Sequence, residues 1–220
     1  MTMAIPMNIV TQNHLKLNRA HFSDFFSDFS ILVSYLLNFR RKKLNLQDFV
    51  QDIPGWPKEN IVFKDIAPLL KDHNAFSDAI NKMHPPIERV DYWVGIESRG
   101  FMFAGALAQK FGGGMIMMRK KGKLPPPIVT HNYGLEYGTD TLEINKGTGN
   151  VVIVDDVLAT GGTLKAANTL CEQAGYTVLG FSTLIDLTYI HQQAPFYIEN
   201  KLVHTVLKYH EISNLVYDLA

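Results

Sequence analysis

Val151-Val-Ile-Val-Asp-Asp-Val-Leu-Ala-Thr-Gly-Gly-Thr163 is the stretch on which the fold turns. Its first four residues are an uninterrupted β-branched run, the pattern of a strand buried on both faces of a parallel sheet. The strand is expected to end at two adjacent carboxylates, Asp155 and Asp156. The loop Ala159–Thr163 then opens a helix over Thr163–Ala174. Gly161 and Gly162 let the backbone come close to a ligand. A helix N-terminus carries about half a positive charge and presents N–H groups, so it suits a phosphate. The hydroxyls of Thr160 and Thr163 add donors. Asp155 and Asp156 repel a phosphate but suit vicinal hydroxyls or a nearby divalent cation. A phosphate beside a diol describes a ribose 5-phosphate. No Gly-x-x-x-x-Gly-Lys occurs, so this is not a Walker loop. The plain structural alternative is a tight turn in which the aspartates cap the helix.

On either side of this segment the chain alternates between strands and helices. Val90–Ile96 reads as a strand and Phe101–Lys110 as a helix that Gly112–Gly114 stop. Met115–Met118 reads as a strand buried on both faces, and Val178–Ile185 and Val203–Leu207 as two more. Nearer the start, Asp52–Pro57 is turn-rich and Ile61–Phe63 is a short apolar run. Asp65 is placed to cap a short helix including Pro68–Leu70, and Phe76–Met83 is helical. Gly122–Gly138 is rich in Gly, Pro and Tyr and reads as one long loop, a length usually tied to function. Alternating strands and helices imply an α/β fold with a mostly parallel sheet covered on both faces. Ligands then lie beyond the carboxyl ends of the strands, at the loops after Ile96, Met118, Val154 and Ile185.

Two of those loops carry cations. Ser98-Arg99-Gly100 follows the Val90–Ile96 strand, and Arg119, Lys120, Lys121 and Lys123 follow Met118. An ordinary turn with a surface arginine and a solvated charge run remain the plain alternatives for these two segments.

The Val151–Thr163 segment closely resembles the phosphoribosyl-pyrophosphate (PRPP) motif of type I phosphoribosyltransferases. Asp52-Ile-Pro, Pro57, Ile61-Val-Phe-Lys-Asp-Ile66, Glu97-Ser-Arg-Gly-Phe101, Arg119-Lys-Lys-Gly-Lys-Leu-Pro125 and Leu135-Glu-Tyr-Gly138 are similar, in that order, to the adenine-specific members. The likeness covers about residues 44–211. It implies a type I fold, with a mostly parallel five-stranded sheet flanked by helices, a small N-terminal hood over about 44–75 and a flexible catalytic loop. It implies transfer of phosphoribose from PRPP to adenine, giving AMP and pyrophosphate, with Mg²⁺ bound mainly through PRPP and water. It also implies a homodimer with basic residues crossing the interface.

Position by position, the likeness gives Asp155, Asp156, Ala159, Thr160, Gly161, Gly162 and Thr163 to the ribose 5-phosphate. Ser98, Arg99, Arg119, Lys120 and Lys123 go to pyrophosphate, with a cis peptide at Glu97–Ser98. Val62, Phe63, Lys64 and Leu187 go to adenine, Phe63 and Leu187 by stacking and the others by their backbone. Glu136 approaches adenine N7 as the general acid/base, Arg99 assists catalysis and Tyr137 helps to seal the closed loop. The family usually has Asp at position 97 and often Arg at position 64, where this chain has Glu and Lys. Plain core packing is the alternative for Phe63 and Leu187, and an exposed loop position for Glu136. The rival functions are transfer to another purine (hypoxanthine, guanine or xanthine) and a PRPP-sensing regulator without catalysis.

The composition fits this reading. The chain has 220 residues, of which 46% are apolar and 19% charged, as in a soluble globular protein. Cys171 is the single cysteine, which excludes a disulfide framework and fits a reducing, cytoplasmic setting. A net charge of zero argues against general nucleic-acid binding. That zero divides into +4 over residues 1–43 and −4 over 44–220. Residues 1–43 read as an N-terminal extension outside the catalytic domain, which spans 44–220. A helix over Ser23–Phe39 is one reading of the extension, and peripheral membrane attachment is another. The segment has neither a signal peptide's basic start nor an integral membrane segment, since Asp24 and Asp28 interrupt its apolar stretch. Leu44-Asn-Leu-Gln-Asp-Phe49 looks like a family N-terminus with Leu in place of the initiator Met. The expectation is therefore that residues 1–43 arise from a start site set too far upstream.

Overall fold

Val151, Val152, Ile153 and Val154 are each fully buried at the centre of the sheet. The computed structural model describes residues 44–135 and 138–211. Contacts divide the chain into Met1–Leu44 and Asn45–Ala220, and the fold is that of the second unit. The four residues belong to β7 (Gly149–Leu158), whose neighbours are β3 (Tyr92–Ile96) and β8 (Tyr176–Asp186), both parallel to it. β4 (Gly114–Lys120) adds in parallel beyond β3, and β10 (Lys201–Lys208) beyond β8. The five-stranded parallel core therefore has the order β4-β3-β7-β8-β10. Antiparallel strands extend it at both edges. β5 (Ile128–Leu135) and β6 (Gly138–Asn145) lie beyond β4, and the short β9 (Tyr197–Ile198) lies beyond β10.

Successive side chains of a strand point to opposite faces, so a strand with no polar alternation needs cover on both. α4 (Gly162–Ala174) supplies one cover: Leu164, Ala167, Leu170 and Cys171 join Val151 and Ile153 in a single apolar cluster. The other face is packed by α3 (Gly100–Phe111), which buries Phe103, Ala104 and Leu107. α2 (His73–Met83) lies beside α3 and against β8 and β10. Each aliphatic side chain buried this way contributes roughly 1.5–3 kcal/mol.

The N-terminal part is a separate two-stranded sheet, β1 (Gln51–Pro54) antiparallel to β2 (Val62–Asp65), preceded by a 3-10 turn at Leu46–Phe49. Asp65 accepts a hydrogen bond from the Ala67 N–H (2.9 Å) at the start of the short α1 (Ala67–Lys71), but the N-cap is Ile66, so Asp65 acts from the position before the cap. α5 (Thr188–His191) follows β8.

Four local expectations are corrected. Gly122–Gly138 is not one long loop, because Ile128–Leu135 within it is strand β5, paired with β6 from Ile128↔Asn145 to Leu135↔Gly138. Gly122 and the three prolines, Pro125–Pro127, precede the strand. From Ile128 the β-branched residues resume, and Val129 and Tyr133 pack against the core. Second, β4 is not buried on both faces. Met115 and Met117 are 36% and 45% exposed, since only Ile116 and Met118 turn towards the core under α4. Third, β7 does not stop at its acid pair but stays paired with β8 as far as Leu158↔Asp186. Fourth, part of the turn-rich Asp52–Pro57 stretch is strand β1.

Candidate active site

The site begins at the junction of β7 and α4. Gly161 has φ +80° and stands at the N-cap of α4, a left-handed conformation that glycine adopts without steric cost. Its carbonyl accepts from the Lys165 N–H (3.0 Å), and the Gly162 N–H donates to Thr160 Oγ1 (3.3 Å). Ala159, Thr160, Gly161, Gly162 and Thr163 thus form a tight loop at the positive end of a 13-residue helix. Phe196, packed edge-on against His191, lies directly beneath Gly161.

The acid pair enters from the strand side. Burial pushes the Asp155 carboxyl well up and the Asp156 charge pushes it further. Burial also raises Asp156, and the Arg99 guanidinium opposes that rise. Both carboxyls are therefore raised in the fold, Asp155 the more strongly. Their ionisation costs stability as the pH rises from the acid side, and Arg99 limits that cost. Arg99 Nη2 lies 2.9 Å from Asp156 Oδ2, and the guanidinium also lies 4.9 Å over the Phe63 ring. Arg99 thus bridges the acid pair and the N-terminal sheet.

Gly100 explains why Arg99 arrives there. A methyl group at Gly100 would lie 2.6 Å from the Val154 carbonyl oxygen, so only glycine lets α3 start against the β7 backbone. The expected cis bond at Glu97–Ser98 is present, and Ser98 accepts from the Phe101 N–H through its carbonyl (3.3 Å).

On β2, Phe63 stacks edge-to-face with Trp56, their centroids 4.4 Å apart. Val62 lies beside it, half-buried. The Lys64 ammonium is buried, donating to Asp52 (2.6 Å) and lying 4.0 Å over the Tyr209 ring. What Lys64 can offer to a ligand is therefore its backbone. Leu187 is buried at the N-cap of α5, and its N–H donates to the Leu158 carbonyl (2.9 Å), joining the ends of β7 and β8.

The basic run sits at the end of β4 and in the turn after it. Arg119 and Lys123 both reach Glu97, and Lys120 extends to Asp140 (3.3 Å). Glu136 and Tyr137 lie outside the described residues. Among the described residues no cluster of three His, Cys, Asp or Glu side chains could cage a metal. The donors present, an acid pair shared with one arginine, fit a cation delivered with its own oxygen ligands.

The structure therefore gathers Arg99, Asp155, Asp156, Phe63 and the Thr160–Thr163 loop. It turns the Lys64 side chain elsewhere and ties the β4 cations to carboxylates. One residue was missed in the sequence: Tyr133 of β5, whose hydroxyl bonds Thr163. Burial and the Asp140 charge raise its pKa, the Thr163 bond opposes them, and Asp155 adds to the rise. The signal for it was the alternation Val129, His131, Tyr133, masked by the neighbouring glycines and prolines.

The chain matches the phosphoribosyl transferase domain over residues 70–194. It is 46% identical over 151 residues to the adenine phosphoribosyltransferase of Bdellovibrio bacteriovorus, covering 68% of this chain and 92% of that one. The Hydrogenovibrio crunogenus enzyme of the same name is 49% identical over 150 residues, covering 66% and 87%. Among solved structures, adenine phosphoribosyltransferase from Rhodothermus marinus superposes with a TM-score of 0.68 at 40% identity, covering 74% of this chain and 96% of that one. The Saccharomyces cerevisiae enzyme, complexed with an imino-altritol bisphosphate and adenine, superposes at 0.66 and 34% identity, covering 74% and 96%. The chain belongs to the phosphoribosyltransferase family, among its adenine phosphoribosyltransferases.

Proposed function

We infer that the protein transfers the 5-phosphoribosyl group of PRPP to adenine, giving AMP and pyrophosphate in purine salvage. The observation that carries the reading is the convergence of Arg99 on Asp156 and on Phe63. It sets a diol-binding acid, a phosphate-binding cation and an aromatic face within one small region, as a phosphoribosylated purine requires.

Each part of the substrate then has a partner. The 5-phosphate lies on the Ala159–Thr163 loop, and Asp155 and Asp156 accept from the ribose hydroxyls. Adenine lies between Phe63 and Leu187, and the backbone at Val62 and Lys64 reads its edge. Ser98, Arg99, Arg119, Lys120 and Lys123 take the pyrophosphate. As the anomeric C–O bond breaks, charge grows on that leaving group, and fixed cations are most effective where charge develops. As the bond from C1′ to adenine N9 forms, adenine must lose a proton, and Glu136 takes part in proton transfer at N7. Tyr137 seals the site. Mg²⁺ would arrive with PRPP and would supply further charge neutralisation at the pyrophosphate.

The assembly is a homodimer, with basic residues of one protomer reaching the other's site. Its support is an apolar face of Met102, Met115 and Met117, 36–45% exposed on α3 and β4, which a second copy would cover. Among the described residues no helix is long and apolar enough to cross a membrane. Cys171 is buried and its thiol pushed up to about 12, by burial first and the Glu172 charge second, which fits a reducing cytoplasm. Residues 44–220 form the catalytic domain and 1–43 an extension outside it. In support, the Bdellovibrio match spans 92% of that relative while using 68% of this chain.

The test is AMP formation from adenine and PRPP. With Mg²⁺ present, pyrophosphate should appear in equal amount, and EDTA should abolish turnover. No AMP under any metal condition would defeat the reading.

A further inference from the structure

Arg119 and Lys123 share one side-chain partner, and it lies just past the end of the neighbouring strand β3. The register Ile96↔Met118 brings the ends of β3 and β4 together, so Glu97 meets the basic run across the sheet. Its carboxylate accepts from Arg119 Nε (3.3 Å), Arg119 Nη2 (3.3 Å), the Lys120 N–H (2.9 Å) and Lys123 Nζ (2.7 Å). A second carboxylate fixes the backbone of the same turn. Glu143, 2% exposed, accepts from the Gly122 N–H (2.7 Å) and the Lys123 N–H (3.3 Å).

On the proposed reading of the site, we propose that Glu97 is a positioning residue for pyrophosphate. It holds Arg119 and Lys123 in the grip they later apply to a phosphate, and releases Lys123 to the incoming ligand.

A carboxylate has about four lone-pair positions, and the four bonds use that capacity. Bonds between ionised groups are the stronger kind, so the guanidinium is fixed before any ligand arrives. Arg119 is held at three of its nitrogens, because Nη1 also donates to the Lys123 carbonyl (3.1 Å). It stays in place while ligands exchange. The Lys123 side chain is 47% exposed and reaches Glu97 through its ammonium alone, so it is the cation able to turn outward. Arg119, Lys120, Lys121 and Lys123 are four cations against the three carboxylates Glu97, Glu143 and Asp140, so the turn keeps a positive balance that attracts an anion. Burial raises the Glu97 carboxyl, but the Lys123 bond, the Lys120 N–H and Arg119 outweigh it and hold the group at about 2. Glu97 is thus ionised at every pH at which the enzyme would work.

The test titrates pyrophosphate with Mg²⁺, and ribose 5-phosphate separately, into the full-length protein and its E97Q variant. Ribose 5-phosphate addresses the Thr160–Thr163 loop and serves as the internal comparison. Pyrophosphate should bind E97Q about tenfold more weakly, the loss of roughly one charge-assisted bond, and ribose 5-phosphate within about twofold of wild type. KM for PRPP should rise in parallel while KM for adenine holds. E97D, charged but one methylene shorter, should fall between the two. Unchanged or tighter pyrophosphate binding in E97Q overturns the proposal, and so does an equal loss for both ligands, which would mark a merely structural role. Should E97Q fail to fold, E97D carries the test, and absence of the same split in it overturns the proposal. A wild-type protein that forms no AMP would overturn the functional reading itself, and this proposal with it.

Discussion

Replacing Glu136 by alanine is expected to lower kcat by about 10²–10⁴, the usual contribution of a positioned general acid/base, while PRPP still binds. The expectation rests on chemistry first. Adenine cannot become a neutral N9-glycoside without losing a proton. Among the described residues the cluster around Arg99 holds two carboxylates, and both are engaged: Asp156 by Arg99, and Asp155 Oδ1 by the Asp156 N–H (2.9 Å). Glu136 follows Leu135, where β5 and β6 close on each other, and the same β5 strand brings Tyr133 to Thr163 and the PRPP loop. The loss should appear in kcat with saturating adenine, and the PRPP dissociation constant should stay within a few-fold. An unchanged kcat would remove Glu136 from the mechanism.

Replacing Gly161 by alanine is the second large effect, and geometry decides it. At φ +80° an L-residue costs about 1–2 kcal/mol. The new methyl would also lie 2.5 Å from Phe196 Cζ and 2.8 Å from its Cε1. Phe196 is 3% exposed and backed by His191, whose Nε2 is fixed on Asp186 (2.8 Å), so the ring has little room to retreat. Overpacking of this kind costs about 1–3 kcal/mol more. For a domain of this size each kcal/mol moves Tm by about 2–4 °C, so a fall of roughly 4–20 °C is expected. The PRPP KM should rise about tenfold or more, since the displaced loop is the one assigned to the 5-phosphate. Gly162→Ala is the contrast. Its methyl meets only Thr160 Oγ1, at 3.5 Å, an ordinary contact, so its Tm should barely move. Equal Tm values for the two variants would contradict the account of this loop.

The sheet and its central site were legible because their signals are local. Four consecutive β-branched residues, an acid pair and Thr-Gly-Gly-Thr located β7, its loop and α4 without any long-range information, although the strand's end at Leu158 depends on its pairing with β8. What escaped was set by pairing between distant segments. β5 went unread because Pro125–Pro127 and Gly134 dilute its alternation, although the partner strand β6 is enough to order it. Met115 and Met117 belong to an apolar run that looks buried, and nothing local says that one face of β4 is left uncovered in the single chain. Lys64 could be placed by likeness, but its burial depends on Asp52 across the β1–β2 register and on Tyr209 far along the chain. Glu97 lies 22–26 residues from the cations it holds, so no local pattern could reveal its side-chain partners.

The most direct measurement offers adenine, hypoxanthine, guanine and xanthine separately to the protein with PRPP and Mg²⁺, and follows nucleotide formation. The adenine slot proposed between Phe63 and Leu187, its polar edge read by the backbone at Val62 and Lys64, predicts rapid AMP formation. It predicts little or no product from the three oxopurines, whose edges present different donors and acceptors. Turnover of hypoxanthine or guanine without turnover of adenine would contradict the account.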